Sequence, residues 1–262
     1  MIPLVTSTRD NCLGTECPRW SDCHVVRARR EAMAADVVVV NHHLFFADLA
    51  LRDSGVAELL PTVDLAVFDE AHQLVDTGLQ FLGTGLGSAQ VADFARDLLA
   101  AGLGQARGLG PWQELSASLE LAARELRLAA SGALGSVRAP VKLRWDDRAA
   151  DPVLAQALSR LEKEAGRAAA ALDQVASAAP DLKRLHERAQ RLEADCRAFG
   201  LPARPSRVRW IDVSAHAARL VESPLDIREH LSSQRQMARK AWVFTSATLG
   251  DDEQASWFVR GA

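Results

Sequence analysis

The sequence predicts an α/β protein in which a parallel sheet is interrupted by a mainly helical insertion. Three observations predict it. Val37-Val38-Val39-Val40, Leu65-Ala66-Val67-Phe68 and Ala241-Trp242-Val243-Phe244 are short, continuous apolar runs. Continuous rather than alternating apolarity marks strands buried on both faces of a parallel sheet. Each run ends in polar residues: Asn41-His42, Asp69-Glu70 and Thr245-Ser246. From about Gly83 to Leu201, apolar residues recur instead at steps of three and four, the spacing of a helix face.

Composition sets the bounds. The chain has 262 residues, 48% of them hydrophobic, which is enough for one large or two modest domains with real cores. The formal net charge is −3, so any nucleic-acid surface is local rather than global. No run approaches the ~18 apolar residues of a membrane helix, and Met1 to Thr8 carries no basic segment before an apolar one. A membrane partner is therefore not expected. The chain opens in what reads as mid-domain and stops soon after a strand, which leads us to expect a segment of a longer protein.

Taken in order, Cys12, Cys17 and Cys23 come first, spaced Cys-x4-Cys-x5-Cys, with Gly14 and Pro18 favouring turns between them. Three cysteines so close suit a reducing compartment and a metal site better than disulfides. Two ligand sets stay open. An iron–sulfur cluster would take a fourth cysteine from upstream of Met1, whereas a zinc site would be completed by His24. Arg19, Trp20, Arg27, Arg29 and Arg30 lie among or just after the cysteines. Cations beside an aromatic side chain can touch a DNA backbone and stack on a base.

The valine run follows, expected as a buried strand delivering Asn41 and His42 to hydrogen bonds at its end. His42 and His43 are adjacent, so their side chains diverge and a shared ion is not expected. Leu44 to Leu51 reads as a helix, and Pro61 precedes the next strand. Gly78, Gly83, Gly85 and Gly87 read as a loose connection, and Ser88 as the cap of a helix through Val91, Phe94, Ala95, Leu98 and Leu99. Trp112, Leu115, Leu119, Ala122 and Leu126 form a second helix face, and Gly132 to Pro140 a loop. A third helix runs through Leu154, Ala157, Leu158, Leu161, Ala165, Ala168, Leu172 and Val175, with Pro180 as its stop. A fourth carries Leu182, Leu185, Ala189, Leu192, Cys196 and Phe199, ended by Gly200 and Pro202. Cys196 sits on that stripe, so it reads as a core residue rather than a ligand. The whole insertion is expected to be helical. Val208 to Val213 alternates like a strand, and Ser223-Pro224-Leu225-Asp226 reads as the cap, first-turn proline and acid that begin a helix through Leu231.

The chemistry concentrates at Asp69-Glu70-Ala71-His72. Open α/β sheets bind ligands at the carboxyl ends of their strands, and here that end releases two adjacent carboxylates. One can hold Mg²⁺ through its water shell, and the next can orient or deprotonate a water beside a γ-phosphate. Hydroxyls at the end of the last strand, in Thr245-Ser246-Ala247-Thr248-Leu249, can bond phosphate, nucleic acid or a neighbouring carboxylate.

An apolar strand followed by Asp69-Glu70-Ala71-His72 resembles the DEAH box of superfamily 2 helicases, and Ser246-Ala247-Thr248 resembles their motif III. The order of cysteine cluster, Val-Val-Val-Val-Asn-His-His-Leu, DEAH box, helical insertion and Ser-Ala-Thr-Leu resembles the DinG/YoaA branch of the XPD-like iron–sulfur helicases, end to end. Asp10-Asn11-Cys12-Leu13-Gly14, Asn41-His42-His43-Leu44-Phe45 and Phe68 to Leu74 look most like its YoaA-type members. The resemblance implies a RecA-like motor domain carrying a [4Fe–4S] domain and a helical Arch domain as insertions. It divides the chain into residues 1–32 (cluster domain), 33–82 (motor), 83–205 (Arch) and 206–262 (motor again). It implies ATP-driven unwinding of single-stranded or forked DNA with 5′ to 3′ polarity, in the bacterial cytoplasm or nucleoid, beside replication and repair proteins. It gives Asp69 the Mg²⁺ role and Glu70 the water-activating role. His72, Ser246, Ala247 and Thr248 would couple nucleotide state to DNA contact, and Cys12, Cys17 and Cys23 would be three of the cluster ligands.

The sequence contains no Gly-x-x-x-x-Gly-Lys-Ser/Thr phosphate loop. The isolated chain is therefore expected not to turn over ATP. Two other readings compete with the motor: a nucleic-acid-binding protein without catalysis, and a zinc-stabilised interaction module.

Overall fold

The computed structural model describes residues 12–53, 60–132, 139–228, 231–232 and 240–248. The central part of the loop expected at Gly132 to Pro140, and Asp10, Asn11 and Leu249, lie outside them. The elements in chain order are α1 (His24–Met33), α2 (His42–Asp53), β1 (Leu65–Phe68), α3 (Leu74–Leu82), β2 (Thr84–Gly87), α4 (Ser88–Gln105), α5 (Trp112–Ser131), β3 (Val141–Arg144), α6 (Pro152–Asp173), α7 (Pro180–Gly200), β4 (Arg207–Val213), β5 (Ala218–Pro224) and β6 (Ala241–Phe244). The architecture is α/β with a two-stranded parallel sheet, β1–β6, and a four-stranded sheet in the order β2-β5-β4-β3. Two compact units result. One comprises residues 12–20, Gly85–Arg204 and Arg209–Glu222; the other comprises Ser21–Thr84, Pro205–Val208 and the described residues from Ser223 on. No helix among the described residues is long and apolar enough to cross a membrane.

The first unit is a helical bundle with a sheet. Each of α4 to α7 packs on the next, and α7 packs back on α4. The expected stripes supply the core: Trp112, Leu115, Leu119, Ala122 and Leu126 of α5, the Leu154-to-Leu172 stripe of α6 with Val175 just past its end, and the stripe of Leu182, Leu185, Ala189, Leu192, Cys196 and Phe199 on α7 are all buried. Gly102 on α4 leaves room for the first residue of α5, since a Cβ there would stand 2.4 Å from Cγ of Trp112. The indole so admitted donates its Nε1–H to the carbonyl of Ala106 at 2.7 Å.

Four readings of the insertion and of the stretch leading into it are corrected. The insertion is not all helical, because β2 and β3 lie inside it. The expected loose glycine connection is instead the end of α3, which contains Gly78, followed by strand β2, which contains Gly85 and Gly87. Ser88 does not cap α4. Gly87 is the cap residue, the Gln90 side chain accepts its N–H at 3.4 Å, and the buried Ser88 hydroxyl accepts the N–H of Ala218 at 3.1 Å. Pro180 does not stop α6, which ends at Asp173; it opens α7 at a position where a missing N–H costs nothing. The cap of α6 is Asp151, whose carboxylate accepts the Val153 N–H at 2.8 Å.

Burial on α7 also sets two protonation states. Desolvation, reinforced by nearby carboxylates, pushes the Cys196 thiol far above its ordinary range, which suits an inert core sulfur. Burial also raises the Asp195 carboxyl from 3.8 to about 6, opposed by Arg191. A carboxyl raised on folding binds its proton more tightly in the native state. Stability contributed here is therefore lost as pH rises from about 4 to about 6, and the full penalty stands above that. Asp195→Asn is expected to gain about 1 kcal/mol at pH 7 and to flatten that window. Urea unfolding at pH 4, 5 and 7 checks it, and equal gains at all three would refute the assignment.

The second unit is built on the parallel pair β1–β6 with α2 and α3. Phe46, Leu49, Phe68, Ala71, Leu74, Ile227 and Leu231 are its buried core, and Phe45, Trp242 and Phe244 pack on it. Phe68 stacks against both Trp242 and Phe244, with ring centroids 5.3 Å from each. Gly78 of α3 lets Phe46 and Ile227 in, for a Cβ there would meet both at 2.7 Å.

Here the valine run departs from expectation. Val37 and Val39 are 81% and 92% exposed, and residues 37–40 form no strand. Four valines favour extended backbone, but a strand needs a neighbour to complete its hydrogen bonds, and none of the described residues supplies one. β1 is likewise not buried on both faces: Phe68 is buried while Leu65 and Val67, on the opposite face, are exposed. The helix expected at Ser223-Pro224 also begins later. β5 runs through Pro224, Asp226 accepts the Arg228 N–H at 3.0 Å, and helical residues start at Arg228. Ser223 instead donates to the Leu79 carbonyl at 2.7 Å.

Candidate active site

β1 and β6 pair in parallel with Leu65 opposite Ala241 and Phe68 opposite Phe244. That register sets the site. Asp69 and Thr245 each follow four paired residues, so the two strands release their polar tails at one level. The chain after β1 then crosses the end of β6: Thr245 N–H donates to the Phe68 carbonyl and Ala71 N–H to the Thr245 carbonyl, both at 2.9 Å.

The crossing requires a sharp turn, and Glu70 makes it. Its φ of 50° is the one positive φ at a non-glycine among the described residues. A side chain in the left-handed region costs on the order of 1 kcal/mol and persists only where surrounding bonds fix it. They do so here. Gln73 N–H donates to the Glu70 carbonyl at 2.9 Å, closing the short turn Ala71–Gln73, and Ala71 is held by Thr245. Oδ1 of Asp69 accepts two bonds at 3.0 Å, one from Glu70 N–H and one from the Thr245 hydroxyl.

His72 joins the two motifs. Its Nδ1 lies 2.8 Å from the Ser246 hydroxyl and 3.2 Å from Oε2 of Glu70. A hydrogen on Nδ1 satisfies the carboxylate, whereas a bare Nδ1 accepts the serine hydroxyl and opposes the carboxylate, so Glu70 favours the first arrangement. Ser246 Oγ also accepts Thr248 N–H at 3.2 Å. Asp69, Glu70, Ala247 and Thr248 are exposed, and His72 and Ser246 are half-buried. Two accessible carboxylates thus stand over an imidazole–hydroxyl pair, a set able to hold a hydrated cation and a water and to report on them through His72.

The other expected residues fall elsewhere. Asn41 caps α2, its Oδ1 accepting the Leu44 N–H at 2.8 Å. His42 follows it with its ring 6.4 Å from Phe68. Arg27, Arg29 and Arg30 are exposed along α1, Arg27 in a 3.7 Å pair with Glu31. Arg19 and Trp20 belong to the other unit, the first exposed and the second half-buried. Cys12 is exposed, Cys17 and Cys23 are partly so, and all are unpaired thiols. Soft thiolates are the right donors for iron–sulfur chemistry, but no three potential ligands converge among the described residues. The donor type fits a cluster, and no step below runs through one.

Sequence reasoning missed the left-handed Glu70 and the bond from Thr245 to Asp69. The second had a signal: both residues follow apolar runs of four, so equal strand lengths in parallel register bring them level.

Comparison with known proteins adds relatives to this geometry. The chain is 35% identical over 98% of its length to the ATP-dependent DNA helicase YoaA of Escherichia coli, covering 40% of that protein. It is 31% identical over 95% of its length to the ATP-dependent DNA helicase YoaA of Haemophilus influenzae, covering 38% of it. A shorter stretch, 35% of the chain, is 42% identical to the ATP-dependent helicase DinG of Mycobacterium tuberculosis, covering 13% of it. The chain thus spans about two fifths of the length of the first two relatives. No family model matches.

Proposed function

We infer, from a chain that belongs to the DinG/YoaA-type helicase family, that it is the central part of an ATP-dependent DNA helicase. Its sheet edge would join nucleotide hydrolysis to DNA movement. One observation carries the reading: β1 and β6 pair directly, so that His72 meets Ser246 at 2.8 Å across 174 residues of sequence. In this reading the two strands belong to a RecA-like motor domain, and the helical unit is its Arch insertion.

Asp69 would hold Mg²⁺, and the exposed carboxylate fits a hydrated cation. The ion supplies charge neutralisation on the phosphates when bound. Glu70 orients the attacking water and accepts its proton. His72 faces Glu70 and Ser246 at once, so a change at the carboxylate reaches the β6 tail without any other element moving. Single-stranded or forked DNA is the partner, approached through Arg27, Arg29 and Arg30 on α1. The 5′ to 3′ direction, a role in repair or replication, and a [4Fe–4S] cluster on Cys12, Cys17 and Cys23 complete the reading and rest on the family alone.

The test is a DNA-stimulated ATPase assay on a full-length protein that carries this segment. His72→Ala is expected to keep basal turnover within about twofold and to lose roughly tenfold or more of the DNA stimulation, the size of an ordinary coupling energy. Undiminished stimulation in that variant would sink the coupling role.

A further inference from the structure

We propose that Thr245 is the positioning residue for Asp69: its hydroxyl fixes one carboxylate oxygen so that the other is presented to the magnesium–nucleotide. The inference rests on the reading of Asp69 given above and extends it to a residue outside the Asp-Glu-Ala-His and Ser-Ala-Thr motifs.

Three short bonds tie Thr245 to the turn that carries the carboxylates, and its hydroxyl also lies 3.5 Å from the Phe68 carbonyl, a longer alternative acceptor. Its N–H donates to the Phe68 carbonyl at 2.9 Å, its carbonyl accepts Ala71 N–H at 2.9 Å, and its hydroxyl donates to Oδ1 of Asp69 at 3.0 Å. The first two belong to the backbone and would survive any side chain. The third is specific. Asp69 is exposed and stands at a turn, and among the described residues the one other bond on its carboxylate is the Glu70 N–H on the same oxygen. Two donors on Oδ1 saturate that oxygen's accessible lone pairs and leave Oδ2 with its own. A carboxylate with one oxygen already engaged binds a hydrated cation through the other in a fixed direction, which is what in-line attack on a phosphate needs. The side chain is also suited to the task. Threonine has a restricted χ1, so strand geometry aims the hydroxyl, whereas a longer polar residue would have to be ordered.

Thr245→Val keeps shape and β-branching and removes only the donor, and Thr245→Ser keeps the donor. Both are made in a full-length protein carrying this segment, beside Asp69→Asn. The primary readout is binding of a fluorescent ATP analogue without DNA, titrated with Mg²⁺; thermal melting reports folding. Thr245→Val is expected to raise the Mg²⁺ concentration for half-maximal binding about five- to tenfold, the effect of one solvent-exposed hydrogen bond of about 1 kcal/mol. Binding without Mg²⁺ and the melting temperature should stay at the parent's values, and Thr245→Ser should restore the Mg²⁺ dependence to within about twofold. A Mg²⁺ dependence unmoved in Thr245→Val while Asp69→Asn shifts it would overturn the role of Thr245 alone. Serine as impaired as valine would do the same. An unmoved Asp69→Asn would overturn this proposal and the magnesium role of Asp69 together.

Discussion

Glu70→Gln, in a full-length protein that carries this segment, is expected to lower ATP turnover by roughly 10²–10⁴-fold while nucleotide affinity changes less than about threefold. The substitution is narrow. Glutamine enters the left-handed φ of 50° no less readily than glutamate, so the turn is kept. Its amide oxygen can still accept from His72 Nδ1–H, the group now 3.2 Å from Oε2, so the contact to the β6 tail is kept as well. What disappears is the negative charge and the basicity that would take a proton from water. Turnover should therefore fall in the presence and absence of DNA alike, which separates this variant from His72→Ala. Single-turnover hydrolysis and equilibrium nucleotide binding measure the two arms. Hydrolysis at the parent's rate would mean that Glu70 is a strained turn residue and no more.

That strain marks the border of what sequence could reveal. The β1 and β6 strands were legible because continuous apolar residues and a common polar ending leave few alternatives to a parallel pair. The four long helices were legible from their stripes, down to the burial of Cys196. Their ends were less so. Pro180 and Ser88 each suit two positions, a stop or a first turn in one case and a cap or a first residue in the other, and the choice depends on a contact such as Ser88 with Ala218, 130 residues away. The valine run misled for a related reason. Its propensity for extended backbone is correct, but becoming a strand depends on a partner outside its own sequence. At the site, residue types pointed to Asp69, Glu70 and His72. The left-handed backbone of Glu70 did not follow from them, because it arises from the crossing of one strand's tail over another's end.

A buried arginine gives the other large effect. Arg209→Met is expected to destabilise the helical unit by about 3–5 kcal/mol, the cost of breaking a buried ion pair from one side. Alternation along Val208 to Val213 gives no hint of it, since a charged residue reads as facing water. In the structure Arg209, Ile211 and Val213 are buried together, and Arg209 is the exception with a reason. Its guanidinium sits at the carboxyl end of α7, where helical carbonyls lack intrahelical donors. It donates to the carbonyls of Ala198 at 2.9 Å and Leu201 at 2.6 Å, with a longer bond to Phe199 at 3.3 Å. Its Nε donates to Glu222 of β5 at 2.6 Å, and the rings of Trp145 and Phe199 lie 5.3 and 5.2 Å from its Cζ. One planar cation thus closes a helix end, pairs a carboxylate and fills an aromatic slot, while complementing the helix dipole. Methionine fills a similar volume but leaves those carbonyls without that donor. Lysine keeps the charge yet has no fork to span them, so Arg209→Lys should recover less than half of the loss. Arg209→Met with Glu222→Met should be more stable than Arg209→Met alone, because the carboxylate no longer needs a cation inside the fold. Urea unfolding of the parent, Arg209→Met, Arg209→Lys, Glu222→Met and the double variant, followed by tryptophan fluorescence, measures these losses and closes the Arg209–Glu222 cycle. A loss below about 1 kcal/mol in Arg209→Met would show that solvent reaches the end of α7 and that the guanidinium is only one donor among many there.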